Sequence, residues 1–229
     1  MGHTAVIYGL DIETDTSCDG WDPAVAAVRT VALSSRSADE VFTGDEATLL
    51  HALDRRLRTL PPGIVATWNG ATFDLPFIAD RARLLGVDLG LRLCLDRRLT
   101  LDRAPLPGHA GAYRGAWGHH AHLDTFRLYG QGSPSPTWTS LRTIGRLLGL
   151  GGAAGPTDRT HDLANEVLHA HAASDARLAR VLAERRLGAA LRLVDRLAPE
   201  DAEVVTVAVR RLERLARQDR VLHPAAATI

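Results

Sequence analysis

An apolar run near the start of the chain, Ala5–Leu10, leads directly into two acidic residues, Asp11 and Glu13. The run predicts a buried β-strand that carries both acids at its end. Because residues two apart on a strand point to the same face, their carboxylates are expected side by side. Neighbouring carboxylates on a buried strand repel each other unless a cation lies between them. The pattern therefore predicts a central strand with a candidate metal site at its end.

Strand and helix signals are mixed through the first 125 residues, and only helix signals follow. Strands are predicted at Val25–Ser34, Glu40–Thr43, Ile64–Trp68 and His119–Asp124, and helices after the Gly44–Asp45 turn, at Phe73–Leu85, at Thr139–Leu148 and from Ala164 almost to Arg217. Residues 96–119 carry no regular pattern and are predicted to be irregular. This order predicts an α/β fold with a mixed central sheet flanked by helices and an all-helical C-terminal part. We expect one domain at residues 1–190 and a helical extension packed on it at residues 191–229.

Charge and cysteine content narrow the classes of function. The 229 residues include 27 basic and 27 acidic ones, so a protein that coats long stretches of duplex is not expected. Cys18 and Cys94 are the two cysteines, and their spacing supports neither a zinc site nor a disulfide framework. No apolar stretch is long enough for a membrane span. The sequence therefore predicts a cytoplasmic protein, with a monomer as the favoured state.

Two further acidic residues follow local patterns of their own. Asp74, in WNGATFDLPFI, falls in the first turn of a predicted helix, where a negative charge is favoured. His171 and Asp175 are four residues apart on another predicted helix and share one of its faces. Taken singly, each pattern is also explained by ordinary structure: a solvated strand end, a helix-start aspartate or a helix-surface pair.

Together the segments resemble the ExoI, ExoII and ExoIII motifs of the DEDD (DnaQ-like) 3′–5′ exonuclease superfamily, which has an RNase H-like fold. The matching residues are Asp11, Glu13 and Thr14 for ExoI, Asn69, Phe73 and Asp74 for ExoII, and Asp175 for ExoIII. WNGATFDLPFI and the later HLDTF…SLRTIGRLLGL most resemble the proofreading domains of family B DNA polymerases and their stand-alone relatives. The similarity spans about residues 5–187.

The third motif departs from both subclasses of the superfamily, which carry Tyr-x₃-Asp or His-x₄-Asp. Here His171 stands four residues before Asp175, and Ala170 stands five before it. The spacing is that of the tyrosine subclass and the residue type is that of the histidine subclass. His169 is a further candidate, so the sequence leaves open which group activates water.

The resemblance implies a two-metal nuclease. Asp11, Glu13, Asp74 and Asp175 would hold two Mg²⁺ or Mn²⁺ ions, which suit hard oxygen ligands. His171 would orient or deprotonate the attacking water. Thr14, Asn69 and Phe73 are expected to hold the terminal nucleotide of a single-stranded 3′ end of DNA or RNA, and nucleoside 5′-monophosphates would be released. A polymerase or a DNA repair protein is the expected partner.

Two alternatives stay open. One is an RNA-directed or structure-specific nuclease with the same fold. The other is a non-catalytic module that binds nucleic acid or protein, favoured by the altered third motif and by the neutral net charge. The presence of all four carboxylates argues against a non-catalytic module, because a domain that had lost its activity would not need to keep them.

Overall fold

The computed structural model describes residues 5–99, 104–129, 140–151 and 164–197. Within these ranges the strands are β1 (Ile7–Thr14), β2 (Val28–Ser34), β3 (Asp39–Thr43), β4 (Ile64–Thr67), β5 (Leu91–Leu95), β6 (Tyr113–Trp117) and β7 (His120–Asp124). The helices are α1 (Glu46–Thr59), α2 (Asp74–Leu84), α3 (Phe126–Tyr129), α4 (Leu141–Leu147), α5 (Asn165–Arg185) and α6 (Leu187–Leu193). The sequence also predicts a loop at residues 130–136 (GQGSPSP). This loop and the part of the predicted C-terminal helix at 198–217 lie outside the described residues.

The described strands form one sheet in the order β3-β2-β1-β4-β7-β6-β5. β4 is parallel to β1 and to β7, whereas the other neighbouring pairs are antiparallel. α5 packs on β1 and β2, and α1 and α2 contribute buried leucines and Phe77 to the main core. The predicted α/β class, a mixed sheet flanked by helices, is confirmed.

The central strand β1 extends beyond its parallel neighbour β4. β4 pairs with β1 only along Ile7–Gly9, but β1 continues to Thr14 because β2 still pairs with it on the other side. The predicted limit of the strand at Leu10 is therefore wrong, because β1 includes Asp11 and Glu13 in its last four residues. Beyond Gly9, the edge of β1 toward β4 pairs with no strand among the described residues.

The two sides of β1 have opposite roles. Tyr8, Leu10 and Ile12 are buried in the main apolar core. The alternate residues, which include Gly9, Asp11 and Glu13, point to the face covered by α5. Strand periodicity thus places both acids on one face, as the sequence predicts.

Small side chains let α5 lie very close to β1. A Cβ atom at Gly9 would overlap the carbonyl oxygen of Ala176, and Ala172 and Ala176 are fully buried against Ala32. Because backbone meets backbone here, the residue that precedes Ala176 on the helix, Asp175, is brought close to the acids on β1. The Gly–Ala contact is therefore the feature that couples the first strand to the last long helix.

The prediction that residues 96–119 are irregular is wrong for Tyr113–Trp117. This segment forms β6 and pairs with β5 at Leu91–Leu95. β5 is a strand that the sequence pattern did not predict. β6 has a glycine at its centre, and β5 is a half-buried edge strand. Both are held by pairing to their neighbours rather than by their own propensity.

The described part of the C-terminal region continues the same packing. α6 spans the predicted domain boundary at residue 190, and Ala190 and Leu193 pack against a cluster that includes Ile7, Ile64 and Leu123. Across the residues that the structure describes, no helix has the length and apolar content to cross a membrane.

Candidate active site where the parallel strands end

Four carboxyl groups lie close enough to influence one another's ionisation. Burial raises the pKa of Asp11 well above its ordinary value, and the charges of Asp175, Asp74 and Glu13 raise it further. Burial, followed by the charge of Asp175, raises the pKa of Glu13 to about 8. Burial raises the pKa of Asp74 to about 7 and also raises the pKa of Asp175. The structure thus brings together the four acids that the motifs select.

Asp74 reaches the cluster because of the turn that precedes α2. Asn69 has φ = 64°, a left-handed conformation that asparagine tolerates, and the chain then turns into the helix. The Ile12 N–H, on the open edge of β1, lowers the pKa of Asp74 by hydrogen bonding. Asp74 therefore lies against the backbone between the two acids of the first motif.

Arg142, on α4, is a charged neighbour of the cluster that sequence reasoning missed. Its Nη2 lies 3.0 Å from Oδ2 of Asp175 and its Nε lies 3.3 Å from Oδ1, a bidentate contact. The guanidinium lowers the pKa values of Asp11, Glu13 and Asp175. α4 is fixed on α5 by apolar residues around Leu141 and Leu178. Nothing in the local pattern of α4 distinguishes Arg142 from a solvated arginine.

The chemistry of the four acids fits a divalent cation. Among the described residues, no group of three or more His, Cys, Asp or Glu side chains is already arranged to hold a metal ion. The donors are nevertheless hard carboxylate oxygens, and their mutual repulsion is the kind that Mg²⁺ or Mn²⁺ relieves. In such a site Arg142 and the cation would share or compete for the carboxylate oxygens of Asp175.

His171 lies one helical turn before Asp175 and is 2% exposed. A positive charge on its ring lowers the pKa of Asp175. His169, the second histidine candidate, is half-buried on the same helix. The position of His171 beside Asp175 agrees with the shared helical face that the sequence predicts, and its role in catalysis stays a prediction.

The three predicted substrate contacts border the acids. The Thr14 hydroxyl donates to the Gly20 carbonyl at 2.9 Å, and the Asn69 side-chain oxygen accepts from Thr72 at 2.7 Å. Phe73 lies 4.8 Å from the ring of Trp21, which is 50% exposed. Sequence reasoning missed Trp21 because it lies in the loop after β1, where a lone tryptophan carries no periodic signal.

Asp124 has a structural explanation. Its carboxylate accepts hydrogen bonds from the backbone N–H groups of Asn69, Ala71 and Phe126, at 2.8, 3.3 and 3.0 Å. These bonds tie the end of β7 to the turn before α2.

Comparison with known proteins gives one family match and a similar solved structure. Residues 27–138 match the family model described as the exonuclease domain of DNA polymerase family B. The structure is similar to that of the family B DNA polymerase from the hyperthermophilic archaeon Pyrobaculum calidifontis, with a TM-score of 0.64 and 20% identity. The similarity covers 80% of this chain and 25% of the polymerase chain, so this chain spans about a quarter of that polymerase. No curated relative matched the sequence.

The structural similarity confirms the predicted RNase H-like fold. The family match shows that residues 27–138 are similar to the exonuclease domain of family B DNA polymerases. Both matches agree with the predicted resemblance to the DEDD proofreading domains of family B DNA polymerases. The matched range includes Asp74 but neither β1 nor α5. The roles of Asp11, Glu13 and Asp175 therefore depend on the geometry described above.

Proposed function

We propose that the chain removes nucleotides from the 3′ end of single-stranded DNA with two Mg²⁺ or Mn²⁺ ions, releasing nucleoside 5′-monophosphates. The observation that carries the proposal is the gathering of Asp11, Glu13, Asp74 and Asp175 where β4 ends short of β1. DNA is favoured over RNA because the matched family is the exonuclease domain of DNA polymerases. A polymerase or repair protein in the cytoplasm is the proposed partner.

The four carboxylates would hold the ions, which when bound supply Lewis acidity and an activated water. The Ile12 N–H would keep Asp74 oriented toward β1. Arg142 would release Asp175 and bind the scissile phosphate. A guanidinium can form two parallel hydrogen bonds to a phosphate, as it does to a carboxylate. His171 would orient the attacking water or accept its proton.

The terminal nucleotide would lie over the turn that starts α2. Phe73 and the exposed ring of Trp21 offer an aromatic surface next to Asp74, and stacking on such a surface tolerates any base. Thr14 and Asn69 would border the sugar and phosphate. This arrangement suits a single-stranded end, because a paired base cannot reach the aromatic surface.

The function is tested with 5′-labelled DNA and RNA strands of one sequence, each with a free or a chemically blocked 3′ end. We expect progressive shortening of the DNA with a free 3′ end in Mn²⁺, and none in EDTA. Asp11→Ala should lower the rate about a thousandfold, because it removes a ligand from the charge-stabilising centre. Circular dichroism serves as the control for folding of the variant.

The other outcomes separate the alternatives. Equal or faster shortening of RNA would indicate an RNA-directed nuclease, and cleavage of DNA with a blocked 3′ end would indicate a structure-specific one. Binding of the strand without cleavage, in Mg²⁺ and in Mn²⁺, would contradict the proposal and support a non-catalytic module.

We also expect His171→Ala to lower kcat by about 10²–10⁴-fold, the range for loss of a group that positions or deprotonates water. His171→Tyr tests the departure in the third motif, and partial recovery would indicate an orienting role, since a phenol is a poor base at neutral pH. His169→Ala is the matched control, with activity near that of the wild type. Full activity of His171→Ala would exclude any role of this residue in catalysis.

A further inference from the structure

A buried chain of hydrogen bonds connects the segment after α6 to the end of β4. Nδ1 of His122 donates to Oδ2 of Asp195 at 2.8 Å, and Nε2 of the same ring lies 2.8 Å from Oγ1 of Thr67. Asp195 is 5% exposed, His122 is 2% exposed and Thr67 is fully buried. Three distant parts of the sequence thus meet in one polar connection inside the sheet.

The Asp195 carboxylate is held from several sides. Oδ2 also accepts from the Gly115 N–H at 3.0 Å, and Oδ1 accepts from Arg127 at 3.2 Å. The Asp195 N–H donates to the His122 carbonyl at 2.8 Å. Because both oxygens and the backbone are bound, Asp195 has one orientation, and it fixes the hydrogen of the His122 ring on Nδ1.

The other end of the connection supports the turn that leads to Asp74. The Thr67 carbonyl accepts from both the backbone N–H and the hydroxyl of Thr125. Gly70 packs so tightly on Thr67 that a Cβ at Gly70 would overlap the Thr67 hydroxyl oxygen. A displacement of Thr67 would therefore move the Asn69–Gly70 turn and the start of α2.

The order Asp–His–Thr is also that of a nucleophilic triad, but burial excludes that role here. Thr67 is 0% exposed, so no substrate reaches its hydroxyl. The connection from Asp195 to Thr67 therefore supports the local structure and does not react with a substrate.

We propose that Asp195 and His122 are positioning residues for Asp74: Asp195 orients the His122 ring, the ring holds Thr67, and Thr67 supports the turn that places the Asp74 carboxylate in the acidic cluster. The inference rests on the proposed function, in which Asp74 is a metal ligand. It also gives the segment after α6 a role in the nuclease site, although this segment lies outside the three motifs and the matched family range.

The test measures Mn²⁺ binding to the full chain by calorimetry, without nucleic acid. Asp195→Asn replaces an acceptor-only carboxylate with an amide that cannot serve the three donors around it. We expect its Mn²⁺ affinity to fall roughly 10-fold, as is typical when a group that supports a metal ligand is lost. In the strand-shortening assay kcat should fall while KM is retained, because the aromatic surface is unchanged.

Thr67→Val is the second variant, because it removes the hydroxyl and almost preserves the shape of the side chain. Like Asp195→Asn, it should weaken Mn²⁺ binding. The double variant should lose less binding free energy for Mn²⁺ than the sum of the losses in the two single variants, since both substitutions interrupt the same connection. If Asp195→Asn does not fold, Thr67→Val decides the question alone.

Asp54→Asn is the matched control. Asp54 is 4% exposed and, like Asp195, accepts from a backbone N–H, a ring N–H and an arginine, here Gly90, Trp117 and Arg58. Its substitution should lower the melting temperature but leave the Mn²⁺ affinity of the folded protein unchanged. An equal loss of affinity in this control would show a general effect of instability and overturn the inference.

Asp74→Asn separates the inference from the proposed function. If Asp74→Asn loses Mn²⁺ affinity while folded Asp195→Asn and Thr67→Val keep it, the positioning role is wrong and the proposed function stands. If Asp74→Asn itself binds Mn²⁺ like the wild type, the assignment of Asp74 as a ligand fails, and the inference fails with it.

Discussion

Gly9→Ala is expected to destabilise the protein by about 4 kcal/mol or more and to abolish exonuclease activity. The new methyl group would overlap the Ala176 carbonyl oxygen, which belongs to a helix backbone and cannot rotate away. α5 must then rise from β1, and Asp175 rises with it. Chemical denaturation measures the loss of stability, and the strand-shortening assay in Mn²⁺ measures the loss of activity.

Gly188→Ala is the control for this prediction, because it makes the same chemical change on α6. A Cβ at Gly188 meets nothing within 4 Å, so the substitution should be neutral or stabilise the helix by about 1 kcal/mol. Gly9→Ala with wild-type stability and activity would show that α5 does not depend on the close contact with β1.

Metal removal is expected to make stability strongly pH-dependent. The folded-state pKa of Glu13 is raised to about 8 and that of Asp74 to about 7, above their ordinary values of 4.5 and 3.8. At pH values between the ordinary and the raised pKa of each group, the folded protein keeps protons that the unfolded chain has released. The free energy of unfolding therefore falls as pH rises from about 4 to about 8. The loss should reach a few kcal/mol.

Saturating Mn²⁺ should remove most of this pH dependence, because the cation replaces the bound protons. Glu13→Gln should raise the melting temperature in EDTA at pH 8 by several degrees and reduce the further rise on adding Mn²⁺. Glu40→Gln is the control, since it breaks only a half-exposed ion pair with Arg56 and should leave both responses unchanged. A melting temperature in EDTA that is constant from pH 5 to pH 8 would contradict the raised pKa of Glu13.

The parts of the fold that the sequence predicts are those encoded by local periodicity. The apolar run that begins β1 and the leucines of α1 mark their elements directly, and the period of two places Asp11 and Glu13 on one face. β5 and β6 were missed because their stability comes from pairing to each other. The continuation of β1 to Thr14 was missed for the same reason, since β2 supports it.

The sequence predicted only those residues of the site that belong to the three motifs. The resemblance selects the four acids, but it gives no information on what neutralises them in the folded protein. Arg142 meets Asp175 across 33 residues and Asp195 meets His122 across 73. Such contacts depend on the packing of α4 and on the path of the chain after α6. They leave no mark in the local sequence, so only the structure reveals them.

The close contact of α5 with β1 also bears on when the proposed site can form during synthesis. The first two acids emerge with β1, but Asp175 emerges only with α5, after the whole sheet has been made. A nascent chain that has not yet released α5 from the ribosome carries three acids and no Asp175. Under the proposed function, the order of the elements along the chain would delay assembly of the acidic site until α5 has been made.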